Sequence, residues 1–195
     1  MINHSIYGIG INDGKYPSKI NNKNTLTYDL WHRMLRRCYC ISTQNKQPTY
    51  NGCTVSDNFK YYSYFHEWCQ EQVGFSNLGW HLDKDILFKK NKLYSENTCI
   101  FVPRDINNLF LKCDAARGEC PIGVSFNKRE KKFVAYVYDN SKRQHLGYFN
   151  NSNDAFLAYK EAKEVIISRY ALQFKDLIDP RTYEALISYK VEMGD

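Results

Sequence analysis

Between residues 122 and 149 the chain carries three short strand-like runs, 122–126, 133–138 and 144–149, parted by polar turns that include Asp139-Asn140-Ser141. Two or three strands of that length do not stand alone in water. The next segment supplies the missing layer. Ala155, Phe156, Tyr159 and Ala162, continuing to Ile166 and Tyr170, recur at helical spacing behind a capping Ser152 or Asn153. A helix there must cover one face of the sheet, and the opposite face is left for a partner. This three-stranded antiparallel sheet packed on a helix makes the chain an α+β protein.

The upstream half predicts a different unit. Residues 1 to about 24 are rich in Gly, Asn and Lys and read as an irregular arm. From Thr27 the pattern turns helical, with Trp31, Met34, Leu35 and Cys38 on one stripe and Arg33, Arg36 and Arg37 on another face. Residues 40–54 are polar and turn-rich. A second helix is expected from Asp57 or Asn58, with Tyr62, Phe65 and Cys69 on its inner stripe and Tyr61 and Trp68 beside them. Residues 79–88 and 99–102 read as strands joined by a Lys- and Asn-rich loop. Pro103, which lacks a donor, suits the first turn of a helix through Ile106, Leu109 and Phe110. The expected organisation is an arm over 1–25, a strand-loop-strand-helix (ββα) domain over 26–111, a linker over 112–120, a sheet-plus-helix module over 121–171 and a helical tail over 172–195.

Charge and composition narrow the function classes. The net charge of +6 divides as +4 over 1–111, +4 over the short 112–149 segment and −2 over 150–195. A basic segment interleaved with aromatics favours an anionic partner, of which nucleic acid is the commonest. No apolar run approaches the roughly 18 residues of a membrane span. The N-terminal residues do not read as a signal peptide, so a cytoplasmic protein is expected. The seven cysteines include no Cys-x2-Cys pair, so they are expected as buried free thiols, and zinc is not expected.

The run Trp80-His81-Leu82-Asp83-Lys84-Asp85-Ile86, then Asn91, then Tyr94-Ser95-Glu96-Asn97-Thr98-Cys99-Ile100-Phe101-Val102 and Ile106-Asn107, resembles the HNH (His-Me finger) endonucleases of the phage and homing type. Three lead-in segments extend the resemblance over roughly residues 26–111: Tyr28-x2-Trp31-x2-Met34-x2-Arg37-Cys38, Tyr50-Asn51-Gly52-Cys53-x-Val55 and Phe59-x5-Phe65-x2-Trp68. The resemblance implies a single Mg2+ or Mn2+ held by Asp83 and Asn107, with Asn97 orienting the catalytic base. Oxygen ligands of this kind suit such hard cations. Lys84 stands where that family has its catalytic histidine, and an ammonium with an ordinary pKa of about 10.4 is a poor base. Asp85 and His81, each two residues from Asp83 in an extended strand, share its face and are the alternative bases. Lys84 is also a candidate phosphate contact, as is Arg104 at the helix start. Each of these residues also has a structural alternative, as a turn, a cap or a core hydrogen bonder.

Downstream, Pro121-Ile122-Gly123-Val124, Phe133-x-Ala135, Leu146-Gly147-Tyr148-Phe149 and Asp154-Ala155-Phe156-x2-Tyr159-x2-Ala162-Lys163 resemble the three-stranded DNA-binding domain of plant ethylene-response factors. The resemblance implies a sheet laid in the major groove of double-stranded DNA. Lys128, Arg129, Lys131, Lys132, Lys142 and Arg143 then position the backbone, and Tyr136, Tyr138 and Gln144 are the candidate base or sugar contacts. The expectation is therefore a phage-type DNA-binding protein with an HNH-like core, acting in the bacterial host cytoplasm if phage-encoded. The alternatives are a DNA-binding or regulatory protein that no longer cuts, and a factor that binds only protein. Oligomeric state is not legible.

Overall fold

A computed structural model describes residues 5–111, 120–140 and 142–195. Most of the expected linker, together with Cys113 and Ser141, lies outside these residues. The chain divides into two compact units, 1–102 and 103–195.

The first unit is built on aromatic packing between two helices. Helix α1 (Leu26–Tyr39) starts at Thr25, whose hydroxyl accepts from the Tyr28 amide. It packs against α3 (Tyr62–Glu71), and Trp31, Leu35, Phe59, Tyr62 and Phe65 are fully buried between and around them. Each such side chain contributes about 1.5–3 kcal/mol by leaving water. The polar tips in this core are satisfied. Trp31 Nε1 donates to the Phe59 carbonyl at 2.8 Å, and the Tyr62 hydroxyl lies 3.0 Å from Thr25 Oγ1 and 3.1 Å from Thr27 Oγ1.

Two segments expected to be irregular are ordered. Within the arm, β1 (Lys19–Ile20) and β2 (Lys23–Asn24) form a hairpin whose two-residue turn, Asn21-Asn22, takes positive φ at both positions. Ile11 is tied to the segment before α3, its amide donating to the Lys60 carbonyl and its carbonyl accepting from the Tyr62 amide. The turn-rich stretch contains α2 (Ile41–Lys46). The expected second helix divides into a 3-10 turn, Asn58–Lys60, and α3.

The expected strand-loop-strand-helix order is present but with shorter strands. Strand β3 (Thr54–Val55) runs parallel to β5 (Leu93–Tyr94), and β4 (Trp80–Asp83) pairs with β6 (Ile100–Pro103). Helix α4 (Arg104–Asn108) follows β6 directly. The strand predicted over 79–88 ends at Asp83, because the Asp83 carboxylate accepts from the Asp85 and Ile86 amides and turns the chain.

In the second unit, β7 (Val124–Asn127), β8 (Lys132–Asp139) and β9 (Lys142–Phe149) form an antiparallel sheet in that order. Helix α5 (Ser152–Phe174) lies across it, capped by Asn151 rather than by Ser152 or Asn153. Ala135, Val137, Phe156, Tyr159, Ile166, Ile167 and Tyr170 form the buried layer. Gly123 has φ +75° and faces the Tyr159 ring so closely that a Cβ there would sit 2.0 Å from Cδ2. The sheet and helix therefore need a residue without a side chain at this point. Helix α6 (Pro180–Ile187) packs on α5 with Leu186 fully buried, and Lys160 Nζ donates to the Val191 carbonyl at 2.6 Å. Among the described residues no helix is long and apolar enough to cross a membrane.

Candidate nucleic-acid interface

The register of the second unit's sheet decides which side chains face away from α5. Ala135 and Val137 are buried toward the helix, and Asp139 bonds to Arg169 and Tyr170 of α5. Strand alternation therefore turns Val134, Tyr136 and Tyr138 to the opposite face. On β9, Tyr138 pairs with Arg143, Tyr136 with His145 and Val134 with Tyr148. Leu146 is an extra residue in this ladder, a β-bulge beside the Ala135–Tyr136 step.

The bulge brings Arg143 and His145 onto the same face as Tyr148, whose number differs from theirs in parity. The Arg143 guanidinium lies 3.6 Å from the centre of the Tyr136 ring. The ring centres of Tyr136 and His145 are 5.2 Å apart, and those of His145 and Tyr148 are 5.0 Å apart. Tyr138 and Tyr148 are about half exposed, and Arg143 and His145 are exposed. Four planar groups thus form a continuous row on this face, where Val134 is buried and Tyr136 half-buried beneath the more exposed Arg143, His145 and Tyr148. At one end of the sheet, the 128–131 turn carries Lys128, Arg129 and Lys131. Asn127 Oδ1 holds this turn by accepting from the Arg129 and Glu130 amides. Lys132 opens β8 on the same face as Tyr136.

Two expected contacts fall on the other side. Gln144 pairs with Val137 and Lys142 with Asp139, so both share the α5 side of the sheet. Lys142 lines an open cleft of about 440 Å3 with Asp139, Asn140, Arg169, Tyr170 and Gln173. Within that cleft, the hydrogen bond from Arg169 holds the Asp139 carboxyl below its usual range. Sequence alone does not select His145 and Tyr148 as contacts. Strict alternation back from Tyr148 selects Leu146 and Gln144, and only the bulge replaces them with His145 and Arg143.

The Asp83 region is arranged differently from the expectation. Lys84 is 4% exposed, and its ammonium donates to both Asp85 carboxylate oxygens at 2.6 and 2.7 Å and to the Asn91 carbonyl at 2.6 Å. It also lies 5.6 Å from the Tyr94 ring centre. Asn91 completes the clasp, its side-chain amide donating to the Lys84 and Leu93 carbonyls. This geometry turns the lysine into the unit, away from any phosphate at the surface, and commits Asp85 to it. Because the chain turns after Asp83, Asp85 does not continue an extended strand with it.

Burial pushes the Asp83 carboxyl above its usual pKa, while the Ile86 and Asp85 amides oppose that shift. His81 and Asn97 are exposed in the first unit. Arg104 is exposed and Asn107 half-buried in α4 of the second unit. Among the described residues no group of three or more His, Cys, Asp or Glu side chains is placed to hold a metal ion. Within the first unit, Asp83 Oδ1 accepts from two backbone amides and both Asp85 oxygens accept from Lys84.

No protein-family model, curated protein or solved structure matches this chain.

Proposed function

We propose that this chain is a DNA-binding protein that engages double-stranded DNA through the open face of its three-stranded sheet. The observation that carries this reading is the row of Arg143, Tyr136, His145 and Tyr148, exposed except for the half-buried Tyr136, beside the lysine-rich 128–131 turn. Planar groups held in a row suit contact with sugars and base edges, and an arginine held over a tyrosine ring joins a cation–π contact to N–H donors of the kind that read base edges. The turn cations suit the phosphates on either side of a groove. The resemblance to the ethylene-response-factor domain supports a duplex partner.

Fluorescence anisotropy of a labelled random-sequence duplex over a salt series tests the reading. Each lysine or arginine that neutralises a phosphate adds about 0.9 to the slope of log K against log salt. An Arg143→Ala/Tyr136→Ala variant is expected to lose at least tenfold in affinity with unchanged folding. Affinity indifferent to salt, or unchanged in that variant, would sink the proposal and favour a factor that binds only protein.

A second reading keeps the nuclease activity implied by the HNH resemblance. The strand-loop-strand-helix order, with Asp83 closing its first strand, favours it. Incubation of supercoiled DNA with Mg2+ or Mn2+ tests this reading: nicked product that is lost in Asp83→Ala would establish cleavage. Intact DNA with salt-sensitive binding would leave a DNA-binding protein that does not cut.

A further inference from the structure

Two segments of the first unit hold cations without carboxylates. Residues 30–56 contain Arg33, Arg36, Arg37 and Lys46, residues 86–95 contain Lys89, Lys90 and Lys92, and neither segment contains Asp or Glu. The parallel pairing of Thr54 with Leu93 and of Val55 with Tyr94 brings the two segments side by side. The carboxylates at their borders are engaged: Asp29 pairs with Arg33, Asp57 with Lys60 and Asp85 with Lys84, and Glu96 accepts from Asn58.

Arg37 and Lys92 converge where the segments meet. Arg37 is half-buried in the last turn of α1. Its guanidinium donates to the Tyr94 hydroxyl and lies 5.2 Å from the centre of the Tyr50 ring. Lys92 is exposed, and its ammonium donates at 2.7 Å to the carbonyl of Thr49, the residue before Tyr50. Burial raises the pKa of the Cys53 thiol, and Lys84, Lys92 and Arg37 all oppose that rise, so the three charges share one neighbourhood.

A guanidinium taken partly out of water is ordinarily paired with an anion. Arg37 brings five N–H donors. Among the described residues its hydrogen-bonding and charged neighbours are Tyr94, Tyr50 and Cys38, none of them a carboxylate. The last turn of a helix favours a cation but supplies no counter-ion.

We propose that Arg37 and Lys92 form a phosphate-binding site on the first unit, which takes a phosphate of the DNA backbone. A guanidinium offers two parallel N–H donors to two phosphate oxygens, and the ammonium adds a point charge. Lys46, Lys89 and Lys90 lie within three residues of Thr49 or Lys92 in the chain and add to a positive potential that draws a polyanion. This inference rests on the reading of the chain as a DNA-binding protein and adds a contact outside the sheet.

Anisotropy of the labelled duplex with the full chain, over a salt series, tests it. Lys92→Gln is expected to weaken binding several-fold and to lower the slope of log K against log salt by about 0.9, the share of one phosphate contact. Arg37→Lys keeps the charge but loses the paired N–H edge, so it is expected to weaken binding with the slope unchanged. Lys23→Gln, which removes an exposed charge of the same unit outside both segments, is expected to change neither quantity. Binding is compared at a temperature where circular dichroism shows every variant folded. A lowered Tm in Arg37→Lys with wild-type affinity would make Arg37 structural and overturn the inference. An equal fall in slope for Lys23→Gln would overturn it as well. If Lys92→Gln and Arg37→Lys bind as wild type while Arg143→Ala/Tyr136→Ala loses affinity, this site fails and the sheet reading stands. A wild-type chain that binds no duplex sinks both. Inorganic phosphate is the second probe. A rise in Tm with phosphate that Lys92→Gln abolishes, in a chain whose duplex affinity no site variant changes, would overturn the backbone assignment in favour of a small phosphate ligand.

Discussion

Replacing Lys84 separates a buried structural lysine from one that serves a ligand. Its ammonium is engaged by Asp85 and the Asn91 carbonyl, and only 5% of its side chain is exposed. Lys84→Ala deletes three methylene groups, worth about 0.8 kcal/mol each by burial, and unlatches the loop from Asn91. Asp85 keeps half its side chain in water and is rehydrated at little cost. The expected loss is therefore about 3 kcal/mol, which lowers the Tm of a unit of this size by roughly 10–20 °C. Lys84→Met retains the aliphatic stem and removes the buried charge, and is expected to stay within about 1.5 kcal/mol of wild type. Thermal unfolding followed by circular dichroism measures both, and duplex affinity is measured at a temperature where all three proteins are folded. The expected pattern is Ala far below Met in stability, with affinity equal across the series. Equal Tm values with affinity lost in both variants would refute the reasoning and make the ammonium a ligand contact.

Other perturbations follow from the second unit. Burial depresses the Lys163 pKa to about 8, against a nearby Asp139 that raises it. The folded chain then loses this proton before the unfolded chain does, so the cost of burial is full below pH 8 and is relieved as pH rises toward the ordinary lysine value. Lys163→Met is expected to raise stability near pH 7 by up to ~3 kcal/mol, with the difference from wild type shrinking in alkaline denaturant titrations. Thr182 is fully buried, and its hydroxyl has no hydrogen-bond partner among the described residues. Thr182→Val is therefore expected to stabilise by about 1 kcal/mol, read as a shift in denaturant midpoint. Gly123→Ala forces a Cβ against the Tyr159 ring at positive φ and is expected to cost about 2–4 kcal/mol, seen as a lowered Tm.

Periodicity revealed the two layers of each unit, because Trp31, Leu35, Tyr62 and Phe65, and later Phe156, Tyr159 and Ile166, repeat at the spacing that burial demands. Properties set by single hydrogen bonds were harder to read. Asp83 looks like a mid-strand residue until its carboxylate is seen to hold the Asp85 and Ile86 amides, and Lys84 looks like a surface cation until Asn91 and Asp85 close around it. The Asn21-Asn22 turn was legible in principle, since asparagines tolerate positive φ, but the strands beside it are only two residues long. On the sheet face, Tyr136 and Tyr138 follow from alternation along β8, whereas setting Arg143 and His145 beside Tyr148 depends on a bulge that no residue type announces.

That bulge also gives β9 slack in chain length. In an ordinary strand, losing one residue throws every side chain beyond it to the wrong face. Here the residues on either side of Leu146 already pair in the phases that a regular ladder would give them: His145 with Tyr136, and Gly147 with Ala135. Deleting Leu146 would join two correctly phased half-strands rather than misalign one. The row of Arg143, His145 and Tyr148 is thus buffered against the kind of length change that most readily scrambles a β-surface, and the position can vary without rewriting what the sheet displays.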